Sequence, residues 1–196
     1  MSTHISTTKY PKVIILYNGE KNLTIQNYPN YEIIGTEEQK VNTPRFFNKY
    51  LEQELDNIDI IGFIQPSVDF IHNNTIQTMV DKLLYHPIIG CVYTDIITKD
   101  KYSVKQYYPA FNITMMQGQI LILSPLFIKA SLLKKIRFHE NLKTLYLYLF
   151  LLQLSRTILS VHIPQHMFYY YDDKTILDMS SDYSYIQQWL KQPEIS

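Results

Sequence analysis

The chain has 196 residues, enough to bury about 70% of the surface its unfolded form exposes and to hold a core without disulfides or metal. It is 46% hydrophobic and 18% charged, and its 18 Lys and Arg balance its 18 Asp and Glu. That excludes a disordered tail protein and removes any global drive toward nucleic acid or an anionic membrane.

In chain order, residues 1–10 read as a polar tail without the apolar stretch of a signal peptide. Lys12 to Tyr17 and Tyr31 to Ile34 are apolar runs of strand length. A helix follows Pro44, marked by Phe46, Phe47, Tyr50, Leu51 and Leu55. Ile58 to Ile64 reads as a third strand. Residues 74–85 give the clearest helix, with Ile76, Met79, Val80, Leu83 and Leu84 on one stripe and Asn73 or Asn74 as its N-cap. Further strands are expected at Ile88 to Ile97, Gln119 to Leu123 and Ile158 to Ile163. Pro125 is expected to open a helix through Lys135, Leu142 to Arg156 a largely buried one, and Tyr183 to Lys191 a last one. Several strands are apolar at consecutive positions, as in strands covered on both faces. The alternation predicts an α/β sandwich with a mostly parallel sheet: one domain over 11–175, then a C-terminal helix and tail over 176–196.

Several chemistries drop out. The five glycines stand at 19, 35, 62, 90 and 118, so neither a P-loop nor a G-x-G-x-x-G turn exists. Cys91 is the single cysteine, which excludes an intramolecular disulfide and a Cys-based zinc site and suits an inert core residue. Ser124 lacks the flanking glycines of a nucleophile elbow. His162 and His166 have the spacing of a helical metal pair, but Pro164 between them breaks a shared helix face, and they read as polar residues around a strand end. The most apolar run, Leu145 to Leu152, is less than half of the roughly 20 residues a bilayer crossing needs. A soluble, cytoplasmic protein is the expectation. Seventeen tyrosines, with Arg only at 45, 137 and 156, suggest an AT-rich genome.

The stretch Asn57 to Asp95 reads as strand, polar loop, amphipathic helix, His-Pro turn and strand. Ligands of open α/β sheets sit beyond the carboxyl ends of strands. Asp69, in the loop Gln65-Pro66-Ser67-Val68-Asp69, and Asp95, at the next strand's end, are placed to share one crevice. The plainer alternative has Asp69 capping the helix and Asp95 starting a turn.

This stretch resembles family 2 glycosyltransferases of the GT-A fold, in which a strand ends in a Leu-Asp-x-Asp-Asp loop followed by such a helix and strand. Pro11 to Asn18 looks like that family's opening strand, and Asn27 to Ile34 like its second. Gly118 to Phe138, ending in Arg137-Phe138-His139-Glu140, resembles the segment leading to Gly-Phe-Asp-Glu, and Val161 to Tyr170 resembles the late Ile-Pro-Glu strand. The resemblance covers residues 11 to 171 and implies a GT-A-like, Rossmann-like three-layer fold. It also implies a nucleotide-sugar site including Tyr17 and Asn18, with Glu37 or Glu38 toward the base.

The chain departs from the pattern where chemistry is concentrated. The family's Asp-x-Asp loop holds Mg or Mn against the leaving diphosphate. Here Gln65 and Ser67 occupy those positions, and only Asp69, as a weak metal candidate, brings a carboxylate nearby. The family's catalytic Glu-Asp pair falls on Tyr146 and Leu147, neither suited to accept a proton. The resemblance therefore implies a domain degenerate for metal-dependent transfer, acting as a binding or structural module that needs no cofactor and buries apolar surface against a protein partner or a second copy. The alternative is an active, divergent transferase moving a sugar from a nucleotide-sugar to a glycan or protein acceptor. There Asp69, Asp95, Glu37 or Glu38 replace the acids with Mn or Mg, or Lys101, Lys105 or Arg45 neutralise the diphosphate, and His139 or His166 acts as base. A third reading is an unrelated α/β domain with a similar strand order.

Overall fold

The computed structural model describes residues 10–19, 23–35, 43–53, 55–99, 102–112, 124–171 and 179–191. Among these lie eight strands: β1 (Val13–Tyr17), β2 (Tyr31–Gly35), β3 (Ile60–Ile64), β4 (Val68–Phe70), β5 (Ile89–Lys99), β6 (Ser103–Gln106), β7 (Leu126–Lys129) and β8 (Leu159–Tyr171). They form one sheet in the order β2-β1-β3-β7-β5-β8-β4, with β6 paired to β5. The helices are α1 (Thr43–Gln53), α2 (Thr75–Tyr85), α3 (Tyr146–Leu154) and α4 (Met179–Leu190), with a 3-10 turn at Ala130–Leu132.

The consecutive apolar residues of β1 and β3 serve two cores at once, because successive side chains leave a strand on opposite faces. Val13, Ile15, Tyr17, Ile60 and Ile64 pack with Ile76, Met79, Val80 and Leu83 of α2. Ile14, Leu16, Ile61 and Phe63 pack with Phe47 and Leu51 of α1, the apolar helix α3 and Ile186 of α4. Helices therefore cover both faces of the sheet. Gly62 lies where the two central strands crowd: a Cβ there would meet Ile15 Cδ1 at 2.7 Å and Phe127 Cζ at 2.9 Å.

The mostly parallel sheet expected from the alternation is a mixed one. The pairs β1–β2, β1–β3 and β5–β8 are parallel, whereas β7 runs against both β3 and β5, β4 against β8, and β6 against β5. β7 fills the place between β3 and β5, Phe127 partnered by Gly62 on one side and Val92 on the other, and just before it Ser124 accepts from Thr94 N through its Oγ at 3.1 Å.

The same strand overturns the helix expected from Pro125 through Lys135. Leu126, Phe127 and Ile128 are buried between β3 and β5 as a strand, and only Ala130–Leu132 turns. Pairing on both sides outweighs local helix preference. The strand expected at Gln119 to Leu123 lies outside the described residues. Asn74 is the N-cap of α2, as expected, but its side chain makes no cap bond. Gln26, 50 residues earlier, accepts from Ile76 N at 3.2 Å instead.

Candidate functional site

Five strands point the same way, and β1, β3, β5 and β8 carry polar residues toward their carboxyl side. Tyr17 ends β1 and pairs in register with Ile64, the last residue of β3 before Gln65. The Tyr17 hydroxyl donates to the Pro66 carbonyl at 3.1 Å, pinning the turn after β3 to the end of β1. A Cβ at Gly19 would run into the Tyr17 ring, so a side chain there would displace that ring. Asn18 Nδ2 donates to Thr43 Oγ1 at 3.1 Å, tying the same end to the start of α1.

Beyond β3 the chain makes a tight turn, with Val68 N donating to the Gln65 carbonyl at 3.1 Å, and enters β4. Asp69 is therefore a strand residue opposite Tyr169 of β8, which corrects the helix-cap alternative. Its Oδ1 accepts from Thr24 N at 2.8 Å and Phe70 N at 2.7 Å, and its Oδ2 from Thr24 Oγ1 at 3.0 Å. Both oxygens are thus spent holding residue 24. The Ser67 carbonyl accepts from Tyr171 N at 2.8 Å. Gln65 is 6% exposed, and its Oε1 is buried without a hydrogen-bond partner.

Asp95 lies inside β5 rather than at a turn, at an irregularity where it pairs with His166 of β8. Its Oδ1 accepts from Tyr108 N and bonds His162 Nε2, each at 2.8 Å. The two side chains of the Asp95–His162 pair are 3% and 9% exposed. The Tyr93 ring stacks on His162, with centroids 5.2 Å apart, and its hydroxyl donates to the Pro109 carbonyl at 2.7 Å. Burial, reinforced by Cys91 and Asp95 nearby, pushes that phenol above its ordinary range. His166 meets the Tyr107 ring edge-on at 4.8 Å, and its Nε2 is buried without a partner. Asp95 and His166 thus come together, and His162, read from the sequence as a bland strand-end residue, joins them. The signal was the match of a carboxylate on one strand with imidazoles on a later one, which no local spacing displays.

The remaining sequence candidates lie elsewhere or are committed. Tyr146 and Leu147 are 2% and 1% exposed in the core, and burial raises the Tyr146 hydroxyl well above its ordinary range. His139 bonds the Tyr185 hydroxyl at 2.9 Å through Nδ1 and Gln153 Nε2 at 2.7 Å through Nε2, and burial lowers its pKa. It thus clasps α4 to the core. Trp189 of α4 stacks on Arg156, the guanidinium carbon 4.4 Å from the ring centroid. Arg45 pairs with Glu140 at 3.5 Å, and Lys105 sits exposed on β6 opposite Ile97. Glu37, Glu38 and Lys101 lie outside the described residues. Cys91 is fully buried, its thiol pushed up to about 12 by desolvation.

The start of α3 holds a residue the sequence reading missed. Asp182 of α4 is 3% exposed, and its Oδ2 accepts from Lys143 N, Thr144 N, Thr144 Oγ1 and Leu145 N at 2.7 to 3.0 Å. A carboxylate there satisfies N–H groups that the helix leaves open.

The residues present do not fit an Asp-x-Asp metal. Gln65 and Ser67 are neutral, and both Asp69 oxygens are engaged. Among the described residues no group of three or more His, Cys, Asp or Glu side chains converges to hold a metal ion. Nor is any helix there long and apolar enough to cross a membrane.

No family model matches the chain, and no curated protein matches it. Solved structures do. A mannosyltransferase from Pyrobaculum calidifontis, solved with GDP-Man and Mn2+, is similar at 11% identity and a TM-score of 0.53, over 84% of this chain and 57% of that one. The chain thus spans somewhat over half of that enzyme's length. A protein from STIV is similar at 13% identity and a TM-score of 0.49, over 83% of this chain and 87% of that one. A 4-diphosphocytidyl-2C-methyl-D-erythritol synthase from Anaerococcus prevotii is similar at 10% identity and a TM-score of 0.41, over 93% of this chain and 99% of that one. At these identities the first likeness bears on fold alone: the chain has a GT-A-like α/β fold.

Proposed function

We propose that this chain is a family 2 glycosyltransferase-like domain that does not carry out metal-dependent sugar transfer and acts as a binding or structural module. The bonding of Asp69 carries the reading. Among the described residues it is the carboxylate beside the loop that holds the metal in the resembled enzymes, and three hydrogen bonds commit it to Thr24 and Phe70. Replacing the two aspartates of such a loop by neutral residues removes several kcal/mol of transition-state stabilisation from a metal-dependent enzyme. The positions of the acidic pair, Tyr146 and Leu147, lie in the core, where a proton acceptor has no access to substrate. Residues 11–175 form the working domain in this reading, inside the cytoplasm, with a nucleotide-sugar or a protein partner as ligand.

A second reading, a divergent active transferase, is favoured by the Asp95–His162 pair: an imidazole oriented by a buried carboxylate is an arrangement suited to taking a proton from an acceptor hydroxyl. Thermal unfolding against UDP, GDP, CMP and their sugars, with and without Mn2+, separates the two. Ligand at about 100 times its Kd stabilises a native state by about 2.7 kcal/mol, a shift of several degrees. The module reading expects no Mn2+-dependent shift; a shift that requires Mn2+ overturns it.

A further inference from the structure

We infer that the corner where α2 runs into β5, at the amino ends of the strands, is the surface on which two copies of this chain pair. The inference goes beyond the module reading and stands whichever way the carboxyl ends of the strands work.

One short stretch of sequence builds most of the corner. Leu84 belongs by spacing to the apolar stripe of α2, yet the packing that buries Leu83 completely leaves Leu84 55% exposed. Tyr85 ends the helix at 81% exposed, and after the His86-Pro87 turn Ile88 stands 62% exposed. Ile89 then enters β5 and pairs in register with Leu159 of β8, which is 45% exposed. The turn is tied down at both of its middle residues. Ile89 N donates to the His86 carbonyl at 3.1 Å, and Lys129 Nζ reaches from β7 to donate to the Pro87 carbonyl at 2.9 Å. No strand lies outside Leu159 among the described residues, because β4 pairs with β8 only at Phe168–Tyr170, toward its other end.

Exposed apolar residues scattered singly are ordinary, whereas four large ones gathered in one corner mark an interaction surface. Scaled by their exposure, Leu84, Tyr85, Ile88 and Leu159 present on the order of 300 Å² of apolar surface. One side of a standard protein–protein interface covers about 800 Å², a little over half of it apolar. The corner therefore supplies most of the apolar centre that a stable dimer needs.

Charge selects the occupant. The charged residues of α2 are adjacent and of opposite sign, Asp81 and Lys82, and Lys82 Nζ lies 5.7 Å from the centroid of the Tyr85 ring. In a two-fold pairing the patch meets itself, and an acid beside a base lets each copy offset the other. An anionic membrane or an acidic peptide calls for a rim of basic residues alone, which Asp81 interrupts. The whole chain has 18 basic and 18 acidic residues, so two copies approach without net repulsion. Pairing at the amino ends leaves the carboxyl ends of the strands open in both copies, and the dimer is then bivalent for whatever binds there.

The test is sedimentation velocity on the whole chain from about 1 to about 100 μM. The expected result is a reversible monomer–dimer equilibrium whose limiting mass is twice 23.3 kDa, with a Tm that rises with concentration. Tyr85→Asp and Ile88→Asp each weaken pairing about tenfold or more. Both variants keep the far-UV circular dichroism of the wild type and the Tm it shows when diluted to monomer. Ile25→Asp leaves pairing unchanged, because Ile25, 78% exposed, adjoins the Thr24 that Asp69 holds opposite the far end of β8. Three results overturn the proposal: a monomer throughout the range, a dimer that survives both corner variants, or one that Ile25→Asp dissociates as readily. A monomer that sediments with phosphatidylglycerol vesicles unless Ile88 is changed also overturns it, by assigning the corner to a membrane. None of these touches the module reading, which falls instead to a Mn2+-dependent nucleotide-sugar response.

Discussion

Asp69 and Asp95 are the two carboxylates that a chain-order reading puts into one crevice, and the structure gives them different work. Asp69 is half-buried in a three-residue edge strand and clasps the Thr24 segment. Asp95 is 2% exposed in the middle of an 11-residue strand, joins β5 to His162 of β8 and holds down the Tyr108 backbone. The same side chain at the ends of similar apolar runs is a surface clasp in one place and a buried anchor in the other. Burial decides how much each is worth to stability.

That contrast is open to direct attack. Asp95→Ala leaves a buried imidazole and a backbone N–H without their partner and is expected to cost about 3 kcal/mol, lowering Tm by about 6–12 °C. Asp182→Ala, which strips the N-terminus of α3 of three N–H bonds and one hydroxyl bond, is expected to cost about 2 kcal/mol by the same thermal measurement. Asp69→Ala removes bonds in a more solvated place and is expected to cost about 1 kcal/mol in urea unfolding, with an unchanged m-value. If Asp69→Ala proves as damaging as Asp95→Ala, the contrast fails.

The smallest effect is in pH. Burial holds the His139 pKa below its ordinary value, so in the acidic range the unfolded chain binds a proton that the native chain refuses. Stability from this site is complete above about pH 6.5 and falls as pH drops through that value toward the lower native pKa. His139→Gln is expected to flatten the acid side of a Tm–pH profile, and an unchanged slope would show that the clasp on α4 carries no such linkage.

Much of the fold was legible because its strands and helices announce themselves locally. The buried runs of β1, β3 and β5 and the stripe of α2 depend on side chains within each segment. What escaped was set by distant partners. The residues of β7 look helical after a proline until β3 and β5 close on both sides of them. Both helix-capping side chains come from afar, Gln26 for α2 and Asp182 for α3, so a local Asn or Ser at the helix start does not reveal them. The site divides the same way. That Gln65 and Ser67 bring no carboxylate to the turn after β3 was readable from order along the chain. The Asp95–His162 pair, 67 residues apart, and the orphaned Gln65 Oε1 depend on which strands become neighbours.

The central claim, that the edge between β3 and β8 works without a metal, is tested most directly by electron paramagnetic resonance of Mn2+ titrated into the protein with GDP present. The free-ion signal should match that of GDP alone at every protein concentration. A protein-dependent loss of signal that Asp69→Ala abolishes would contradict the account, because it would place a metal on the carboxylate assigned here to Thr24.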